Sequence, residues 1–153
     1  MRRQAGFTIV EVISVVMIIG VLAALVLPSI KLNTVRVKMS EAILAFAPCR
    51  LAVSEIYQGG DDPPADGVWG CEIATNASQY VDQVSVDPLG KITISLRAAL
   101  DARVNTLDLT MQPLDNTGSP ASGNGAPLRS WRCGSGLDGS QVPIQFLPST
   151  CRG

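Results

Sequence analysis

The sequence predicts an α+β protein in which a long amino-terminal helix, half membrane-spanning and half amphipathic, packs on a four-stranded antiparallel sheet. Three observations carry this. An apolar run long enough to cross a bilayer opens the chain, a run with a period near 3.6 residues follows it, and period-two alternation begins near residue 80. The 153 residues are enough for one domain of ordinary size.

The distribution of charge defines the first element. Charged residues make up 16% of the chain, below the roughly 25% of a soluble domain. The deficit is local: residues 7–30, FTIVEVISVVMIIGVLAALVLPSI, hold one charge, Glu11. From Val12 to Ile30 nothing is charged, and those residues make about 28 Å of helix against the roughly 30 Å hydrocarbon core of a bilayer. Arg2 and Arg3 precede the run and a longer polar portion follows it, so the positive-inside rule places the amino terminus in the cytoplasm and residues 31–153 outside.

A secretory signal, a plain single-pass anchor and a buried core helix compete for the same segment. No A-x-A site follows the run, as a signal peptide requires, and the first cysteine, Cys49, is too distant for a lipoprotein signal. None of the three explains Glu11. A carboxylate five residues into an apolar helix costs on the order of 2–3 kcal/mol unless it is paired.

The residues around Glu11 suggest the partner. Gly6-Phe7-Thr8-Ile9-Val10-Glu11, after the short basic leader Met1 to Ala5, resembles the processing site of type IV prepilins, whose usual form is Gly-Phe-Thr-Leu-Ile-Glu. Ile9 and Val10 differ from it only by exchange among aliphatics. Gly20 and Pro28 stand where that family has a helix-loosening glycine and a kinking proline. The resemblance implies cleavage between Gly6 and Phe7 by a prepilin peptidase, methylation of the new Phe7 amine and insertion in the inner membrane. It also implies polymerisation with other copies of the chain, by the pilus assembly machinery, into an extracellular pilus for adhesion, twitching motility or DNA uptake. A free α-amine has a pKa near 7.7 to 8.0 and is mostly charged at neutral pH. Positions 7 and 11 lie about 6 Å apart along a helix, so amine and carboxylate could pair within one chain or between two. The resemblance favours pairing between chains, which would neutralise Glu11 as the helix leaves lipid for a filament core.

Past Lys31 the spacing of Leu32, Val35, Met39, Ile43 and Phe46 makes an amphipathic helix with its charges on other faces. Continued through Tyr57, it extends one long helix from about Phe7, interrupted at Pro28 and Pro48, where a backbone donor is lost. Two helices that end at the prolines are the alternative. The resemblance to type IV pilins makes the segment from Gly20 to Pro28, weakened as helix by its glycine and proline, a candidate for local unwinding in the filament.

Residues 58–70, QGGDDPPADGVWG, form a loop. Tyr80 to Val86 and Lys91 to Leu96 read as a hairpin around Asp87-Pro88-Leu89-Gly90. Leu107, Leu109 and Met111 alternate with Asp108, Thr110 and Gln112 in a third strand, and Leu128 to Cys133 supplies a fourth. Cys49, Cys71, Cys133 and Cys151 are an even set on the exported side, where disulfides persist. Of the three possible connectivities we take the local one, Cys49 with Cys71 and Cys133 with Cys151. The tail, from Trp131-Arg132-Cys133 to Phe146-Leu147-Pro148-Ser149-Thr150-Cys151-Arg152, resembles the carboxy-terminal disulfide loop of type IVa pilins. The Cys49 and Cys71 pair is not general in that family and rests on spacing alone.

Several functions fall away. Without histidine the chain cannot build a Ser/His/Asp triad, a Cys/His pair or a histidine zinc site. A net charge of -1, with no Lys/Arg cluster longer than two residues, gives no nucleic-acid signal. Asp61, Asp62 and Asp66 read as a solvated turn because their spacing misses the EF-hand pattern. Asn76-Ala77-Ser78 is taken as loop. We therefore expect no catalytic residue, cofactor or metal, and a chain divided into leader 1–6, spanning and filament-core helix 7–30, and external globular region 31–153. A minor pilin, a type II secretion pseudopilin and an anchored binding module that never polymerises are the alternatives.

Overall fold

A computed structural model describes residues 6–64, 68–123 and 127–153, with backbone alone at 27–29. The leader Met1 to Ala5 and Asp66 lie outside the described residues. The chain divides into two compact units, Met1–Thr34 and Val35–Gly153. The fold is α+β. Helix α1 runs Ile9–Leu44 and α2 runs Ala47–Gly59. Four strands follow, β1 Val81–Val86, β2 Ile92–Leu96, β3 Asp108–Leu114 and β4 Ser130–Cys133, then two single 3-10 turns.

The helical run passes through Gly20 and Pro28 and ends at Leu44. The reason for the stop is Pro48, which has no N–H to give to the Leu44 carbonyl. The last turn instead tightens, with Ala45 N donating to Ala42 O and Phe46 N to Ile43 O. Pro48 then sits in the first turn of α2, where its missing donor costs nothing. Helix α2 ends in a left-handed Gly60.

Within the second unit the buried helical stripe is Val35, Met39, Ala42, Phe46, Cys49, Val53 and Tyr57, and it survives the break between the helices. Ala42 is buried where the sequence pattern favours Ile43, which is only half-buried, as is Leu32 in the first unit. The small side chain lets the helix lie close to what it covers.

The sheet is an antiparallel meander in the order β1-β2-β3-β4. Val86 pairs with Ile92, Ile94 with Leu109 and Met111 with Cys133. Ile92, Ile94 and Leu96 are fully buried, with Thr93 and Ser95 on the opposite side. The β1–β2 turn is pinned to α2. Gly90 has φ +82° and a Cβ there would stand 2.7 Å from Val53 Cγ1, while Tyr57 Oη donates to Leu89 O and Trp69 Nε1 to Asp87 O. Tyr57 and Trp69 stack with ring centres 6.3 Å apart.

The third strand departs from the alternation expected of it. Thr110 and Gln112 are buried along with Leu109 and Met111. After β4 the chain folds back along β3, with Gln141 N donating to Asp108 O and Gly134 N to Thr110 O. Those bonds extend the ladder along one edge of β3, while burial of Leu109, Thr110, Met111 and Gln112 shows that both of its faces are covered, which period-two reading cannot foresee.

Candidate functional site

The chemistry-bearing residues of the first unit lie at the start of α1. Gly6, Phe7 and Thr8 precede the helix in irregular chain, and Phe7 is 77% exposed. The Gly6–Phe7 peptide is thus solvent-accessible backbone rather than helix. Thr8 O receives Glu11 N at 3.1 Å and Val12 N at 3.3 Å, so helical bonding begins at Thr8. Glu11 falls in the first turn, where the unpaired N–H groups favour an anion. It is exposed, and among the described residues no cation lies within ion-pair distance of it.

Beyond Glu11 the helix is apolar and uncovered. Ile9–Val26 has a mean hydropathy of 2.9 and none of it is buried. A Cβ on Gly20 would meet nothing within 4 Å, so no contact among the described residues requires a glycine there. Pro28 lies in the helical backbone two residues past Val26.

The second unit is closed by two bridges. Cys49 in the first turn of α2 is bonded to Cys71 in the loop after it, with Cα atoms 5.1 Å apart. Cys133 at the end of β4 is bonded to Cys151, with Cα atoms 4.6 Å apart. Gly134, at φ +73°, leaves room for Cys151 O and Leu147 Cδ1, each 2.6 Å from where a Cβ would be. Just before that loop, Arg132 of β4 grips Asp138 inside it with two hydrogen bonds of 2.6 Å, which raises the guanidinium pKa. Among the described residues no group of three or more Cys, Asp or Glu is placed to hold a metal.

Two features escaped the sequence reading. One is a second, outward apolar set, Val37, Leu44 and Leu51, each about 70% exposed, whose seven-residue spacing was the available signal. The other joins the start of the second unit to two loops. Arg36 Nε donates to Gln145 O at 2.8 Å and Lys38 Nζ to Ala99 O at 3.3 Å. Arg103 lies 4.8 Å over the Phe146 ring and binds Asp101 through two hydrogen bonds, which hold the Asp101 pKa down at about 2. No local pattern announces contacts more than 60 residues apart in sequence.

A family profile described as Pilin (bacterial filament) matches residues 35–152, and the prokaryotic N-terminal methylation motif matches residues 1–27. Fimbrial protein EcpC of Eikenella corrodens is 34% identical across 97% of this chain and 91% of its own length. A type IV major pilin protein PilE of Neisseria gonorrhoeae is 31% identical across 97% of this chain and 94% of its own. A probable minor fimbrial protein of Dichelobacter nodosus is 27% identical across 99% and 97%.

Proposed function

The chain belongs to the pilin family and is a structural subunit of a type IV pilus, and from that premise we propose how it passes from membrane to filament. It is held in the inner membrane by residues 7–30, with its amino terminus in the cytoplasm and residues 31–153 outside. Prepilin peptidase hydrolyses the Gly6–Phe7 amide, leaving a carboxylate on Gly6 and an ammonium group on Phe7, which a methyltransferase then methylates with its charge retained. Removal of Arg2 and Arg3 takes the side-chain balance to 10 − 13 = −3.

The observation that carries this reading is the pairing of an uncovered apolar helix with an acid in its first turn that has no cation partner among the described residues. Apolar side chains on that helix reach low free energy only in lipid or against other copies. In lipid alone Glu11 stays costly; beside the Phe7 ammonium of a neighbouring copy it is neutralised. The outward set Val37, Leu44 and Leu51 supports further packing among copies. Gly20, with open space at its Cα, supports close approach of another helix there. No residue of this chain is assigned a catalytic role; Gly6 and Phe7 are substrate for the peptidase.

Mass spectrometry of the protein recovered from sheared surface fibres tests the scheme. A chain beginning at methylated Phe7 and forming the body of the fibre is the expected result. A chain that still begins at Met1, or that is absent from fibres, overturns it.

A further inference from the structure

The exit of the apolar helix carries charge of one sign. Between Val12 and Ser40 there is no Asp or Glu, while Lys31, Arg36 and Lys38 are cationic. Translocated ends of spans are normally poor in Lys and Arg, so cations kept there against that bias call for a use. In the second unit, Arg36 and Lys38 leave the helix on opposite flanks of the buried pair Val35 and Met39. Both are anchored to neutral carbonyls, Gln145 O and Ala99 O; Lys38 also lies 5.7 Å over the Tyr80 ring and close enough to Asp101 to help lower its pKa, but among the described residues neither cation comes within 4 Å of a carboxylate oxygen. Arg36 uses Nε for its anchor, which leaves its Nη donors available for a bidentate grip on phosphate. Arg103, over the Phe146 ring beside Gln145, adds a second guanidinium to the same neighbourhood, with its charge shared with Asp101.

We propose that Arg36 and Lys38, with Arg103 beside them, form a phosphate-binding collar for anionic phospholipid headgroups on the outer face of the membrane before assembly. The proposal rests on the reading above that residues 7–30 span the bilayer. Arg36 follows Ile30 by only six residues in the chain, and the headgroup layer adds roughly 5–8 Å to each side of the hydrocarbon core. Long cationic side chains bridge that interval. Lipid phosphate thereby holds the subunit at the surface from which it is later extracted.

The test uses the full chain in nanodiscs of phosphatidylcholine, with and without phosphatidylglycerol, followed by hydrogen exchange in peptides covering residues 31–41 and 97–104. Slower exchange in the anionic discs, abolished by salt and by the double variant Arg36→Gln/Lys38→Gln, is expected, with lipid affinity falling about fivefold per cation removed. Arg36→Lys should retain part of the effect, and an unchanged melting transition in the double variant shows that its head is folded. Equal protection by inorganic phosphate in neutral discs would assign a free-anion site and overturn the lipid assignment. Loss of fibres in the double variant with its lipid response intact would make these cations a copy-to-copy contact, which also overturns it. Protease accessibility of the amino terminus reads the span separately: an intact span with no effect of phosphatidylglycerol defeats this proposal alone, whereas a missing span defeats the reading beneath it.

Discussion

The first half of α1 and the unit that begins at Val35 satisfy the same physical demand by opposite means. In the head, Ile92, Ile94, Leu109 and Tyr57 are buried by the chain itself, and two disulfides tie the helix and the tail to their loops. In the helix, Ile9–Val26 buries nothing. The head carries its stability within one chain, while the helix reaches its lowest free energy only in lipid or among other helices. The difference teaches that a stability measurement on this protein reports the head, and an assembly measurement reports the helix.

The substitution that most sharply divides the two is Glu11→Ala. Filament yield, read by shearing and electron microscopy, should fall by an order of magnitude or more, because about 2–3 kcal/mol of charge neutralisation guides docking, while the melting transition of the head stays where it was. A wild-type yield would remove the comparison's electrostatic half. Ile94→Ala should do the converse. It deletes a fully buried side chain of the central sheet, and by analogy with core truncations should cost about 2–5 kcal/mol in denaturant unfolding with membrane insertion unchanged. Breaking the carboxy-terminal loop with Cys133→Ser/Cys151→Ser should cost about 3 kcal/mol, since the bridge spans 18 residues; an unaltered unfolding midpoint would show that the loop is held by its packing alone.

Smaller effects sharpen the picture of the head. Thr110 Oγ1 is buried without a hydrogen-bond partner among the described residues, so Thr110→Val should raise stability by about 1 kcal/mol. The smallest effect is acid sensitivity. Hydrogen bonds from Arg103 lower the Asp101 pKa to about 2, and a depressed folded-state pKa means stability present above the unfolded value near 3.9 and lost as pH falls through about 2. Amide protection at residues 99–104, taken relative to the intrinsic exchange rate at each pH, should therefore fall between about pH 4 and pH 2, and Asp101→Asn should flatten that dependence.

Much of this was legible locally. The uncharged run, the motif from Gly6 to Glu11 and the hairpin around Asp87 to Gly90 are short-range signals, and each strand lies within about two residues of its predicted place. The stop at Leu44 was half legible: Pro48 announced a break, but the break falls before it because the proline withholds a bond from a residue four positions earlier. Ala42 displaced Ile43 from the buried stripe because period alone does not specify how closely a helix lies on its sheet.

By itself the sequence determined where apolar surface is concentrated and with what period, and so which segment needs lipid or other helices and which segments form strands. Tertiary structure alone decided that Thr110 and Gln112 are buried, that Arg36 and Lys38 reach Gln145 and Ala99, and that Gly90 must yield its Cβ to Val53. The reason is range: hydrophobic period and turn chemistry act between near neighbours in the chain, whereas coverage of a second face depends on where a segment tens of residues away comes to rest.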